Sequence, residues 1–211
     1  MTGLRILAEG RWPDPGPDHA AAPAPAPGHG HGHGDVLPPI PGFSASTFNP
    51  LVAEAAERCL RAHHGAAPAP GRTALLLASV GGDRATARAI DEAAASGRRV
   101  PPLLFFQSNP NAVLGHIAAR WGLTGPVVAI SPVEARPGTV PQDALDHAAL
   151  LLADGDADLV LVIAAEQADP EHADAEHPDA EHPDADRADT ERQDGDRVDT
   201  DRAVAVLVTT A

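Results

Sequence analysis

Residues 106–126 decide the fold class of this chain, and they read Phe106-Gln-Ser-Asn-Pro-Asn-Ala-Val-Leu-Gly-His-Ile-Ala-Ala-Arg-Trp-Gly-Leu-Thr-Gly-Pro126. Asn109 followed by Pro110 predicts a helix start, because asparagine caps a first turn and proline fits the first helical position. The helix is expected to run to about Trp121, where Gly-Leu-Thr-Gly-Pro predicts a turn. Residues 127–131 are then expected to form a short apolar strand. The stretch predicts a helix that leads through a tight turn into a strand.

Similar helix signals occur on both sides of this stretch. Asn49 with Pro50 repeats the combination of cap and proline and predicts another helix start. Asp83 is placed to cap a helix that runs to about residue 97. Residues 141–153 carry apolar side chains at helical spacing and predict a further helix.

Runs of strand length separate these helices. They occupy residues 3–9, 73–80, 158–164 and 203–209, and residues 101–106 are also expected to be extended. The run at 73–80 is continuously apolar, as a strand buried on both faces requires. Strands that alternate with helices predict an α/β sandwich with a largely parallel sheet.

Two stretches of low complexity interrupt this pattern. Residues 12–41 are rich in proline, alanine, glycine and histidine, and residues 167–202 carry an acidic residue followed by histidine or arginine at every fifth position. Five residues turn a helix through about 500°, so neither charge nor apolarity settles on one face. We expect both stretches to be disordered inserts in a single domain, 1–211.

The charge and the single cysteine limit the classes of function. The net charge is −15, and residues 171–202 supply −9 of it from 13 acidic residues and 4 arginines. Such a chain lacks the basic patch that nucleic acid requires, and no run approaches the ~20 apolar residues of a membrane span. Cys59 is interpreted as a small apolar helix residue. We therefore expect a cytoplasmic protein without nucleic-acid or membrane partners.

Three motifs occur in an order that resembles a known family. They are Gly-His-Ile at 115–117, Gly-Leu-Thr-Gly-Pro at 122–126 and Gly-Asp-Ala-Asp at 155–158. Together they resemble the N-terminal half of β-ketoacyl synthases, in the thiolase-like superfamily. The resemblance implies a three-layer α/β/α sandwich around a mixed, largely parallel sheet, with the acidic insert before the closing strand.

The resemblance also implies where the nucleophile of the family should stand. Counted from Gly125-Pro126, the catalytic cysteine falls at position 134, which is Glu134 here. A carboxylate is a poor acceptor for a thioester acyl group. The proline-rich segment 131–141 is expected to delay the following helix to about Pro141, and His116 is expected to pack within the structural Gly-His-Ile segment. No catalytic residue is therefore assigned.

These features predict a non-catalytic accessory protein of type II polyketide or fatty-acid biosynthesis. In relatives such as chain-length factors, another residue replaces the cysteine while the domain still pairs with an active ketosynthase. The expected partner is a ketosynthase or an acyl carrier protein, and a homodimer is a further possibility. A chain of half the family's length should expose a large apolar patch, which usually marks an interface.

Two other functions stay open at this level. The chain can be an enzyme that handles acyl thioesters, for example by decarboxylating a malonyl group. Alternatively His29, His31 and His33, with His19 and Asp35 near them, can bind Zn²⁺ or Ni²⁺ weakly through imidazole. Apart from such a metal, no cofactor is expected, and we favour a solubilising loop of low complexity as the interpretation of these histidines.

Overall fold

The computed structural model describes residues 3–14, 36–43, 45–136, 138–168 and 200–211. The helices and strands, in chain order, are β1 (Leu4–Trp12), α1 (Phe48–His64), β2 (Thr73–Ala78), α2 (Arg84–Ala95), α3 (Pro102–Gln107), α4 (Pro110–Trp121), β3 (Val127–Ile130), α5 (Gln142–Ala153), β4 (Leu159–Glu166) and β5 (Arg202–Thr210). No helix in these ranges is long and apolar enough to cross a membrane.

The strands form one five-stranded sheet in the order β1-β5-β4-β2-β3. β2 pairs in parallel with both β3 and β4, whereas β5 runs antiparallel to its neighbours β4 and β1. Four strands therefore point one way and β5 points the other. The mixed, largely parallel sheet predicted from the sequence is confirmed.

Apolar side chains from the two faces of the sheet form two separate cores. Leu75 and Leu77 of β2 face a core shared with α1 and α4, whereas Leu76 faces a core shared with α5. Successive side chains of a strand point to opposite faces, so a strand covered on both sides needs a continuous apolar run. Helices on both faces make the predicted three-layer sandwich, which is also confirmed.

The glycines of the Gly-Leu-Thr-Gly-Pro motif have separate structural tasks. Gly122 ends α4 with a φ of 67°, a left-handed conformation that favours glycine. Gly125 lies so close to β2 that an added Cβ would stand 2.6 Å from the backbone of Thr73 and Ala74. A side chain at this position would push β3 away from β2.

The start of α1 differs from the prediction. The helix begins at Phe48, whose backbone amide donates a 3.0 Å hydrogen bond to the Ser46 hydroxyl. Asn49 lies inside the first turn, and its side-chain amide donates to the carboxylate of Asp83 at 3.1 Å. The predicted cap at Asn49 is wrong because this side chain makes a buried tertiary contact instead.

Residues 101–106 were expected to be extended, and this prediction is also wrong. Pro101 alone is extended, with φ of −61° and ψ of 129°, and α3 begins at Pro102. Proline suits this first helical position because the N–H it lacks would have no partner there. A short apolar run does not by itself distinguish a strand from a helix.

Order extends further into both low-complexity stretches than expected. Trp12 is a buried residue of β1 with the Arg58 guanidinium 4.7 Å from its ring centroid, and Ile40 forms a bridge with Phe43. At the second stretch, Gln167 is buried and Asp201 accepts a hydrogen bond from the Ala168 backbone. The predicted disorder of the remaining parts concerns residues 15–35 and 169–199, which lie outside the described residues.

Candidate functional site

The segment between β3 and α5 carries the position at which the family resemblance implies a nucleophile. Glu134 is exposed and lies outside any helix or strand, and α5 begins only at Gln142, with Pro141 before it. The predicted delay of this helix is therefore confirmed. A helix N-terminus stabilises negative charge only within about its first turn, so Glu134 receives no such stabilisation from α5.

Hydrogen bonds tie this segment to α5 and to β1. The backbone amide of Val133 donates to the carboxylate of Asp143 at 3.1 Å, in the first turn of α5. Further along, the guanidinium of Arg11 donates to the carbonyl of Gly138 at 2.8 Å. These two hydrogen bonds therefore hold the irregular segment around Glu134 against α5 and β1.

A cavity of about 250 Å³ lies at the carboxyl ends of β2 and β3, and we call it the strand-end cavity. Its lining residues come from the start of α1, the ends of β2 and β3, the start of α2 and the junction of α3 with α4. They are Phe48, Leu77, Ser79, Gly82, Asp83, Ser108, Pro110, Ala129, Ile130 and Ser131. Loops after parallel strands commonly form the binding crevices of α/β folds. The cavity is largely apolar with a few polar groups, which suits a small apolar ligand.

Asp83, the one ionisable residue in that lining, has a structural task. Its carboxylate accepts hydrogen bonds from the backbone amide and the hydroxyl of Thr86, at 3.0 and 2.8 Å, and from Asn49 at 3.1 Å. The predicted role of Asp83 as the cap of α2 is confirmed. Three donors already occupy this carboxylate, which holds it in place as part of the fold.

The hydroxyl groups of two serines in the cavity are also engaged with the backbone. Ser79 accepts a 2.9 Å hydrogen bond from the Gly82 amide, and Ser108 donates one of 2.9 Å to the Phe105 carbonyl. Among the described residues, neither hydroxyl bonds a histidine or a carboxylate. Activation of a serine as a nucleophile requires such a base within hydrogen-bond reach.

His116 lies away from the strand-end cavity, on the side of the sheet that α1 and α4 cover. It is half-buried, and its ring meets the edge of Phe43 with centroids 6.2 Å apart. It also lines a second cavity of about 250 Å³, between α1, α4 and residues 38–41. His116 thus makes the contacts of a packing residue.

The second cavity contains an ionised carboxylate that the sequence interpretation missed. Glu57 accepts hydrogen bonds from Arg61, Arg120 and the indole of Trp121, at 2.6 to 3.0 Å. The Arg120 bond, with those from Arg61 and Trp121, outweighs burial and lowers the pKa of Glu57 to about 2. The spacing of Glu57 and Arg61 on one helix was the available sequence signal.

Cys59 matches its predicted character. The side chain is completely buried in α1, and burial raises the pKa of its thiol to about 12. A thiol that stays protonated near neutral pH is a poor nucleophile and a poor metal ligand. Cys59 therefore acts as a small apolar residue of the core.

The histidines considered as metal ligands fall outside the described residues. His29, His31 and His33, together with His19 and Asp35, belong to residues 15–35. Within the described ranges, no three histidine, cysteine or acidic side chains form a group that could hold a metal ion. Metal binding by the histidine tract stays a prediction.

Three solved structures share the fold at low sequence identity. The chain matches the ketosynthase ApeO in complex with its chain length factor ApeC from Xenorhabdus doucetiae (18% identity, TM-score 0.59), the ishigamide ketosynthase/chain length factor (22%, 0.57) and a β-ketoacyl synthase from Burkholderia phymatum STM815 (18%, 0.62). The matches cover 100%, 81% and 100% of this chain, and 80%, 45% and 60% of the matched chains. The chain thus spans less than two thirds of the length of the ishigamide and Burkholderia chains that it matches.

Sequence comparison places the fold in a family. No curated protein matches the chain significantly. The family described as "Beta-ketoacyl synthase, N-terminal domain" matches residues 44–178, which contain α1 to α5 and β2 to β4. Because the match extends over more than half of the sequence and agrees with the fold, this chain belongs to the family of the β-ketoacyl synthase N-terminal domain.

Proposed function

We propose that this chain is a non-catalytic subunit of type II polyketide or fatty-acid biosynthesis that pairs with an active ketosynthase. One observation carries the proposal: the family's nucleophile position, counted from Gly125-Pro126, holds an exposed glutamate on an irregular segment. A carboxylate there has neither the thiolate chemistry nor the helix N-terminus that activates a nucleophile.

The structural comparisons support the class of partner. Two of the matched structures are described as a ketosynthase with its chain length factor, so the fold occurs in complexes of two ketosynthase-like chains. The match to the Xenorhabdus complex covers 100% of this chain and 80% of the matched chain. A short ketosynthase-like chain in complex with another subunit is the arrangement that we propose.

Under this proposal the strand-end cavity binds part of a ligand and carries out no chemistry. The cavity can hold a small apolar group, such as part of an acyl chain that the partner carries, while the bond-forming chemistry stays with the partner. An acyl carrier protein is the second partner class that this assignment admits.

Co-expression with a ketosynthase from the same cells tests the proposal. The tagged chain should co-purify with the ketosynthase as a stable 1:1 complex, and replacement of Glu134 by alanine should leave the condensation rate of that complex unchanged. A chain that stays unbound in the presence of every ketosynthase of its source cells would refute the pairing. A loss of condensation in Glu134→Ala, with the complex intact, would refute the non-catalytic assignment.

A further inference from the structure

A cavity of about 250 Å³ lies between α1, α4 and the proline-rich segment 38–41, and we name it the α1–α4 cavity. Most of its wall is apolar and includes the three prolines of that segment, Ile117 and Trp121. It shares no lining residue with the strand-end cavity. The α1–α4 cavity is therefore a separate place for a ligand, and the proposed function does not depend on it.

The carboxylate of Glu57 in this cavity is already bound to cations of the chain. It accepts hydrogen bonds from Arg61 at 2.6 Å, from Arg120 at 2.8 and 3.0 Å, and from the Trp121 indole at 2.8 Å. Four N–H groups thus fill its acceptor positions. Because two guanidinium groups share one carboxylate, this cluster keeps one positive charge in excess. It disfavours a cationic ligand and matches a single negative charge.

Two donors on α4 keep the capacity to bind a ligand. Arg120 contacts Glu57 through Nε and Nη2, and its Nη1 meets no acceptor among the residues that the structure describes. His116 packs its ring against Phe43, but neither ring nitrogen makes a hydrogen bond within the described ranges. Residues four apart on a helix share a face, so both donors line the same wall of the cavity.

The α1 wall limits the charge of an anion in this cavity. Glu54 accepts a hydrogen bond from Arg58 at 2.7 Å, and Arg58 also pairs with Asp14. The charge of Glu54 is therefore only partly compensated, and its side chain is 19% exposed. Charges that are partly buried are weakly screened by salt, so a dianion such as phosphate would be repelled. Such repulsion gives selectivity for a monoanion.

We propose that the α1–α4 cavity binds a small apolar monocarboxylic acid in its ionised form. The carboxylate accepts hydrogen bonds from Arg120 and His116, and the apolar body lies against Ile117, Trp121 and the prolines of 38–41. Charge-assisted hydrogen bonds from arginine are strong and suit the two oxygens of a carboxylate. An apolar cavity of about 150 Å³ holds benzene. The α1–α4 cavity, with about 250 Å³, therefore accommodates an acid of the size of benzoate.

Titration of the full, isotope-labelled chain with benzoate, followed by NMR, tests this site. The signals of the Trp121 indole and the His116 ring should shift and saturate, with a dissociation constant on the order of 1 mM. The signal of Trp12, the other tryptophan of the sequence, should stay unchanged because Trp12 does not line the cavity. Benzamide, a neutral analogue of the same size, should bind at least tenfold more weakly.

Two variants and a matched control locate the ligand. His116→Phe keeps an aromatic ring against Phe43 and removes the N–H donor, so the affinity for benzoate should fall at least fivefold. Arg120→Gln should lower it at least tenfold, in a variant whose circular dichroism matches that of the parent chain. His147→Phe on α5 replaces an exposed histidine outside the cavity and should change the affinity less than twofold.

Contrary outcomes overturn separate parts of this assignment. No saturation with benzoate up to about 10 mM would remove the site. Benzamide or benzylamine that binds as tightly as benzoate would contradict recognition of a negative charge. Saturable benzoate binding that both His116→Phe and Arg120→Gln leave unchanged would place the ligand elsewhere. None of these results affects the pairing with a ketosynthase, which co-purification measures independently.

Discussion

The backbone amide of Ala168 donates a 2.9 Å hydrogen bond to the carboxylate of Asp201, 33 positions further along the chain. The other oxygen of Asp201 accepts a hydrogen bond from the Thr47 hydroxyl, at the start of α1. Gln167 accepts from the backbone amide of Ala85 in α2 at 3.3 Å and donates to Ser46 and Thr47. Hydrogen bonds thus connect the two ends of the acidic stretch, residues 167–202, to each other and to the starts of α1 and α2.

Because residues 167–168 and 201 are held together by these hydrogen bonds, we predict that the acidic stretch between them can be removed. Replacing residues 170–199 by a short Gly-Ser linker should change the free energy of unfolding by about 1 kcal/mol or less, because loop-closure entropy varies slowly with length. Urea denaturation measures this change. A longer excision of residues 167–201 also removes Gln167 and Asp201. It should lower the free energy of unfolding further, because each of the several hydrogen bonds lost contributes about 1 kcal/mol. Equal unfolding free energies of the two variants would contradict a structural role for the hydrogen bonds of Gln167 and Asp201.

Glu57 predicts a specific dependence of stability on acid. The Arg120 hydrogen bond is the first cause that lowers its folded pKa to about 2, from 4.5 in the unfolded chain. Its contribution is therefore fully present above about pH 4.5 and is lost as the pH falls towards 2. With the side chain 17% exposed, the ionised carboxylate contributes roughly 2 to 3 kcal/mol by linkage.

Comparison of variants isolates that contribution. The unfolding free energy of the parent should fall more steeply between pH 4.5 and 2 than that of Glu57→Gln. Glu54→Gln is the matched control, because Glu54 pairs with Arg58 on the same helix at the same spacing. Parallel curves for the parent and Glu57→Gln would show that the carboxylate is not held by its three donors.

Cys59 should resist thiol reagents in the folded protein. Burial raises its pKa to about 12, so almost no thiolate exists at pH 8, and the side chain is inaccessible. Labelling with iodoacetamide, followed by intact mass, should be at least a hundredfold slower in the native state than in urea. Rapid labelling of the native protein would contradict the burial of α1 against the sheet.

Glu134 gives the most direct chemical test. Restoring a cysteine by Glu134→Cys should not restore condensation, because the position lies outside a helix N-terminus. Glu134→Ala should be equally inert in a malonyl-carrier decarboxylation assay. Decarboxylation by the parent that disappears in Glu134→Ala would make this chain an enzyme acting on acyl thioesters.

The histidine tract allows a separate measurement. A variant lacking residues 19–35 removes His29, His31 and His33, and calorimetric titration with Zn²⁺ compares it with the full chain. If these imidazoles bind metal, weak zinc uptake should be lost on deletion while the unfolding free energy stays the same. Equal uptake by both chains would remove them as metal ligands.

Local chemistry predicted much of the fold. Asp83 and Asn109 cap their helices as expected, because such caps depend on a few neighbouring residues. The continuous apolar run of β2 predicted its burial on both faces. Asn49 and Gln167 could not be predicted, because their partners Asp83 and Ala85 are distant in sequence. Contacts of that kind depend on the tertiary structure.

The site was predictable only in part. The prolines around Glu134 indicated the irregular segment, and the structure confirms it. The strand-end cavity combines residues from five parts of the chain, from Phe48 to Ser131, and no motif predicts such a convergence. The exposed apolar patch was expected in general terms, but its concentration on α3 was hidden because residues 101–106 read as a strand.

Pairing with a ketosynthase is the central claim, and native mass spectrometry of the tagged chain purified from its source cells tests it most directly. We predict a 1:1 complex with a ketosynthase that has an intact cysteine nucleophile. Recovery of this chain alone, or only as complexes of its own copies, would contradict the claim.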